Sequence, residues 1–248
     1  KISGDSFYQT DGKAVLPLGR LTIEETKAPV GLSVDPAVRT FVSDESGIYT
    51  DANGVLFTNG GIRITDEPVY GGVKILKRSL DQGEEPDGDA RFEGAVFGIY
   101  NKNSYSVTRK DREDDSYPTD AEVMRVTADA AGLAETAAVL QAGTYLVKEL
   151  TAPEGYLLSE EELLFTILED KPGEIVDLTE TPVRDPVIRG GFALSKWDLE
   201  LNEPGKFQGD ATLEGAEFTL INESEDSVLV NGRKIVPGEV IDTFRTDA

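Results

Sequence analysis

The chain has 248 residues, of which 39% are hydrophobic, and a formal net charge of -23. Such an acidic surplus excludes nucleic acid as a partner, because phosphate binding needs clustered Lys and Arg, and no apolar run reaches the ~18 residues of a membrane-inserted helix. Cys and His are both absent, which excludes disulfides, thiol chemistry, Cys/His zinc sites and histidine-based triads.

Taken in chain order, the apolar pattern is that of β-strands. Leu21, Ile23 and Glu25 alternate with Thr22 and Glu24, and Ile62, Ile64 and Asp66 alternate with Arg63 and Thr65. Val73, Ile75 and Lys77 follow, then Tyr145, Val147 and Glu149, then Val183 and Asp185, then Phe192, Leu194 and Lys196. A period of two places each set on one face of a strand. Gly, Pro, Asp and Asn bound these runs, as turns require. Between them, the Ala-rich stretch 128–140 reads as a loop or hairpin rather than a helix, because Gly132 interrupts it. Many short strands with turns between them predict an all-β sandwich. The acidic segments 81–89 and 111–115 read as solvated loops, with no calcium-loop spacing. Trp197 falls on the parity opposite to Lys196, on the outer face.

A repeat underlies the pattern. Gly71-Gly72-Val73-Lys74-Ile75-Leu76-Lys77 returns 119 residues later as Gly190-Gly191-Phe192-Ala193-Leu194-Ser195-Lys196. Phe92-Glu93-Gly94-Ala95-Val96-Phe97 returns as Leu213-Glu214-Gly215-Ala216-Glu217-Phe218, and Asp66 returns as Asp185. Glu25, four residues before Pro29, returns as Glu149, four before Pro153. The order of these markers predicts the second half of one unit at 1–71, a full unit at 72–189 and the first half of another at 190–248. Two such halves could join head to tail between chains, or belong to a longer array from which this segment is cut; the second is the simpler expectation.

Each unit therefore aims one Lys, one Glu and one Asp at its own core. Ionisable side chains are rarely buried unless paired, so the three are expected to meet. Burial favours a neutral amine and a protonated acid, which are also a nucleophile and an electrophile. A second carboxyl could move protons between them, and the product would be a Lys–Asp amide with loss of water. Parity alone favours the plainer outcome, a buried ion triad without a bond.

The strings Val73-Lys74-Ile75-Leu76-Lys77-Arg78, Phe92-Glu93-Gly94-Ala95-Val96-Phe97 and Tyr145-Leu146-Val147-Lys148-Glu149-Leu150-Thr151-Ala152-Pro153-Glu154-Gly155-Tyr156 resemble the collagen-adhesin B-type, or SpaA-type pilin, domain of Gram-positive surface proteins. The last string is similar to that family's E-box. The resemblance implies tandem transthyretin-like, inverse Greek-key sandwiches. It implies Lys77 as nucleophile, Asp185 as acceptor and Glu149 as catalytic acid. By the same carry-over Glu25 and Asp66 belong to the first partial unit and Lys196 to the last. Many members carry Asn at the acceptor; here it is Asp in both units, so water rather than ammonia would leave. The expected function is a structural stalk segment of an extracellular, cell wall-associated adhesin or pilin, with neighbouring repeats as partners and no cofactor or metal. Its only chemistry would be a single self-cross-linking event. The alternatives are a module binding a host protein or glycan, through its loops or Trp197, and a two-carboxylate hydrolase. The inward parity of the carboxyls beside a Lys argues against the hydrolase, which needs an open cleft.

Overall fold

The computed structural model describes residues 8–10, 13–15, 19–43, 49–51 and 65–247; residues 62 and 64 of one expected strand lie outside this set. Two compact units result, one of residues 1–69 with 168–172 and one of 70–167 with 173–248. All regular structure among the described residues is β.

In the first unit β1 (Tyr8–Thr10) pairs with β2 (Lys13–Val15), and β3 (Gly19–Ile23), β4 (Arg39–Ser43) and β5 (Tyr49–Asp51) form an antiparallel sheet in that order. Strand β3 ends at Ile23, so Glu25 lies just beyond it. A bridge between Leu32 and Pro68 brings the Asp66 segment back to this unit. The 168–172 turn belongs here too, with Glu169 Oε1 accepting from Gly31 N at 2.7 Å.

The second unit starts with the sandwich. Its strands are β6 (Tyr70–Ser79), β7 (Val96–Asn101), β8 (Val107–Arg109), β9 (Arg112–Tyr117), β10 (Glu122–Thr127) and β11 (Leu133–Glu135). They continue with β12 (Leu140–Gln141), β13 (Gly143–Thr151), β14 (Glu162–Ile167), β15 (Ile175–Asp177) and β16 (Val183–Asp185). One sheet has the order β10-β7-β13-β14; the other runs β11-β6-β12-β8-β9, with β15 and β16 added parallel to β6. The alternation of β6 is the one expected: Val73, Ile75 and Lys77 are buried while Lys74, Leu76 and Arg78 are partly exposed. They are buried in one core with Phe97 and Ile99 of β7, Tyr145 and Val147 of β13, and Phe165 and Ile167 of β14. Full burial of such side chains contributes about 1.5–3 kcal/mol each. The double glycine that opens β6 has a packing reason: a Cβ on Gly72 would lie 2.7 Å from the Ala137 carbonyl oxygen. The Ala-rich stretch is a loop around β11, as expected.

The same unit continues with β17 (Glu217–Ile221), which pairs with β20 (Val240–Arg245), and with the hairpin of β18 (Val228–Val230) and β19 (Arg233–Ile235). One expectation is corrected here. Residues 190–196 form no strand, and Phe192 and Leu194 stand 62% and 45% exposed instead of facing a core. Period two is satisfied, but among the described residues no neighbouring strand offers a ladder. Phe192 packs its ring on Phe244 at 5.8 Å instead.

Candidate functional site

Three strands from both sheets bring three ionisable side chains together. Strand β6 carries Lys77 inward. Strand β16 pairs with it in parallel register, Val183 opposite Lys77 and Asp185 opposite Ser79, so Asp185 reaches the same spot. Strand β13 of the facing sheet supplies Glu149 on the parity of Tyr145 and Val147. Lys77 Nζ lies 2.8 Å from Asp185 Oδ1 and 3.9 Å from Glu149 Oε1, and all three side chains are fully enclosed.

The pairing is close but incompletely hydrogen-bonded. Lys77 Nζ donates to the carbonyls of Val183 at 3.2 Å and Arg78 at 3.3 Å. Its approach to Asp185 lacks hydrogen-bond alignment: both Asp185 oxygens and Glu149 Oε1 are buried without a hydrogen-bond partner. Such groups cost roughly 1–3 kcal/mol each, more when charged. Glu149 Oε2 accepts from Ser159 N at 3.2 Å. Burial pushes the Glu149 carboxyl up to about 8; Lys77 opposes the shift and Asp185 adds to it. Burial therefore favours the protonated form of Glu149.

Tyr156 closes the site. Its ring centroid lies 5.9 Å from Lys77 Nζ and it stacks on Phe92 at 5.9 Å. A bridge from Tyr156 to Val187 ties the end of the E-box-like string to the segment just after Asp185. The Tyr156 hydroxyl donates to Asp87 Oδ2 at 3.3 Å, and Ser79 Oγ donates to the same oxygen at 2.5 Å. Asp87 was missed in sequence: it sits in the acidic loop 81–89, where nothing separates one buried carboxylate from its solvated neighbours.

The other predicted residues stand apart from this cluster. Glu25 is half-buried and accepts from Asp35 N at 2.7 Å. Asp66 lies beside it; desolvation, then the Glu25 and Asp35 carboxylates, raise its pKa. No Lys joins that pair in an ion pair among the described residues. Lys196 does not turn inward: it is exposed, on the rim of an open cleft of about 600 Å³ with Phe192, Leu213 and Phe244. Among the described residues no strand corresponding to β13 or β16 covers it. Trp197, 41% exposed, donates Nε1–H to Ser195 Oγ at 2.9 Å.

The fold and this cluster define a prealbumin-like β-sandwich with a Lys–Asp–Glu triad enclosed between its sheets. The sequence profile of the SpaA prealbumin-like fold domain matches residues 82–182, the central part of the chain. Lys77 and Asp185 lie just outside the matched range. Among solved structures, the Bacillus anthracis TIE protein is 25% identical with a TM-score of 0.54, over 98% of this chain and 39% of that one. A streptococcal ancillary pilin is 21% identical over 70% of this chain and 43% of that one, with a TM-score of 0.33. The group B streptococcus pilus 2b backbone protein is 22% identical over 66% and 54%, with a TM-score of 0.35. The chain thus spans about half the length of these relatives or less. No match was found among curated protein sequences.

Proposed function

We propose that the chain is a stalk segment of a Gram-positive cell-surface pilin or adhesin, stiffened by an amide between Lys77 and Asp185. The observation that carries this reading is the 2.8 Å approach of Lys77 Nζ to Asp185 Oδ1 in an enclosed site beside Glu149. In the reaction the ammonium gives a proton to the Asp185 carboxylate, and the resulting amine attacks Cγ. Glu149 relays protons to the departing hydroxyl, which leaves as water. The fold supplies the effective concentration, and one turnover ends the chemistry. The partners of such a segment are neighbouring repeats, and its place is outside the cell at the wall.

Intact mass under denaturing conditions tests this. The parent should fall short of its sequence mass by one water. Lys77→Ala and Glu149→Ala should each restore the full mass. A full-mass parent that is folded would overturn the cross-link.

A further inference from the structure

After β16 the chain runs through residues 190–200 without a strand and, Asp198 apart, exposed. That linker alone would leave β17–β20 loosely tethered to the sandwich. The hold comes instead from the loop between β6 and β7. Gly88 N donates to Ser227 O at 2.9 Å and Gly88 O accepts from Asp226 N at 3.0 Å. Asp89 Oδ1 accepts from Glu225 N at 2.8 Å, and Gln82 Nε2 donates to Ser227 O at 2.6 Å. Arg189 adds a strap, donating Nη1–H to Leu229 O at 2.8 Å while pairing with Asp81 at 3.3 Å.

Both sides of this contact are fixed from within. Asp87 anchors the loop through Ser79 and Tyr156. On the other side buried Asn222 donates Nδ2–H to Asp226 O at 3.2 Å and Ile235 O at 3.0 Å, which shapes the edge that Gly88 and Asp89 meet. Gly88 has φ +61°, and a Cβ there would stand 3.1 Å from Val228 Cγ1. The positive φ favours glycine there, and a side chain would also crowd Val228.

Both parts recur with the repeat. Gly88-Asp89-Ala90 returns 121 residues later as Gly209-Asp210-Ala211, with Gly209 at φ +57°. Asn222 has its counterpart in Asn101, also buried, whose Nδ2 donates to Tyr105 O at 2.8 Å and Tyr117 O at 2.9 Å. The Gly-Asp pair and the buried Asn thus occur in both the central and the following repeat. The Gly88-Asp89 grip touches mainly main chain, so it tolerates different side chains: the gripped Glu225-Asp226-Ser227 corresponds to Ser104-Tyr105-Ser106 one repeat earlier.

We infer that Gly88 and Asp89 form a joint that clasps the following repeat by the main chain of residues 225–227 and sets the angle between the two. The joint does not depend on the Lys77–Asp185 amide. Amide hydrogen exchange on the full chain tests it, beside distance distributions between probes at Glu113→Cys and Thr243→Cys, in a chain with no other cysteine. The parent should protect the Glu225 and Asp226 amides and give one narrow distance. Asp89→Ala should speed Glu225 exchange roughly tenfold, as one charge-assisted hydrogen bond is lost, and broaden the distances. Asp89→Asn, which keeps an acceptor, should restore much of the protection, and Asp210→Ala should change neither readout. Unaltered exchange at Ile99 in β7 would show that Asp89→Ala leaves the sandwich folded. Unprotected Glu225 and Asp226 amides in the parent, or both readouts unmoved by Asp89→Ala, would overturn the joint.

Discussion

Burial favours the protonated form of Glu149 far more than a surface glutamate's, pushing its carboxyl up to about 8. The sign of its effect on cross-linking follows directly. Below about 8 the acid is present to protonate the leaving hydroxyl; above it the carboxylate faces Asp185 with a like charge. Chain made by cell-free synthesis should therefore close the amide faster near about pH 7 than near about pH 9, read as loss of one water over time. An equal or faster rate at the alkaline end would show that Glu149 does not act as an acid. At this scale the sequence was informative, because a strand's parity is set by its period: Lys77, Glu149 and Asp185 each sit with the apolar residues they alternate with. Asp87 was not legible, since its burial depends on Ser79 at the end of β6 and on Tyr156, 69 residues further along the chain.

The elements decide what a bond at Lys77 would hold. Strand β6 opens the sandwich and β16 closes it, and they lie side by side in parallel. An amide between them would close nearly the whole domain into one loop. By the chain-entropy relation for a disulfide across about 100 residues, that restricts the unfolded state by ~4.7 kcal/mol. Glu149→Gln is the informative variant, because it leaves the Lys77–Asp185 ion pair in place while removing the acid. It should melt well below the parent, with a loss on the order of 4 kcal/mol. Lys77→Ala should fall further, since it also strands the buried Asp185 carboxylate, at about 3–5 kcal/mol for a broken buried pair. Calorimetry that finds Glu149→Gln as stable as the parent would argue against a cross-link. Alternation alone could not have given the parallel pairing, because period two is identical for parallel and antiparallel neighbours. It also misplaced residues 190–196, where the right pattern lacks a strand to pair with.

For residues 70–247 taken together, resistance to proteolysis should be uneven in a way that the positions of the basic residues make measurable. Lys77 is fully buried, whereas Lys196 and Lys206 lie in the exposed, strand-free stretch between β16 and β17. A protease must draw several residues of extended chain into its cleft, which ladder-bonded strands resist and such a stretch permits. Brief native trypsin treatment should therefore cut within this part of the chain first after Lys196 or Lys206. The sandwich from β6 to β16 should survive much longer digestion. In Glu149→Gln, the same first cuts should appear at the same rate, because they need no opening of the sandwich. The sandwich itself should then be lost sooner, because its opening is no longer restrained by the amide. Peptide mapping over the digestion separates the two phases. Earliest cuts inside β6–β16 in the parent, or equal survival of the sandwich in both proteins, would show that the central domain draws no protection from a bond between its first and last strands.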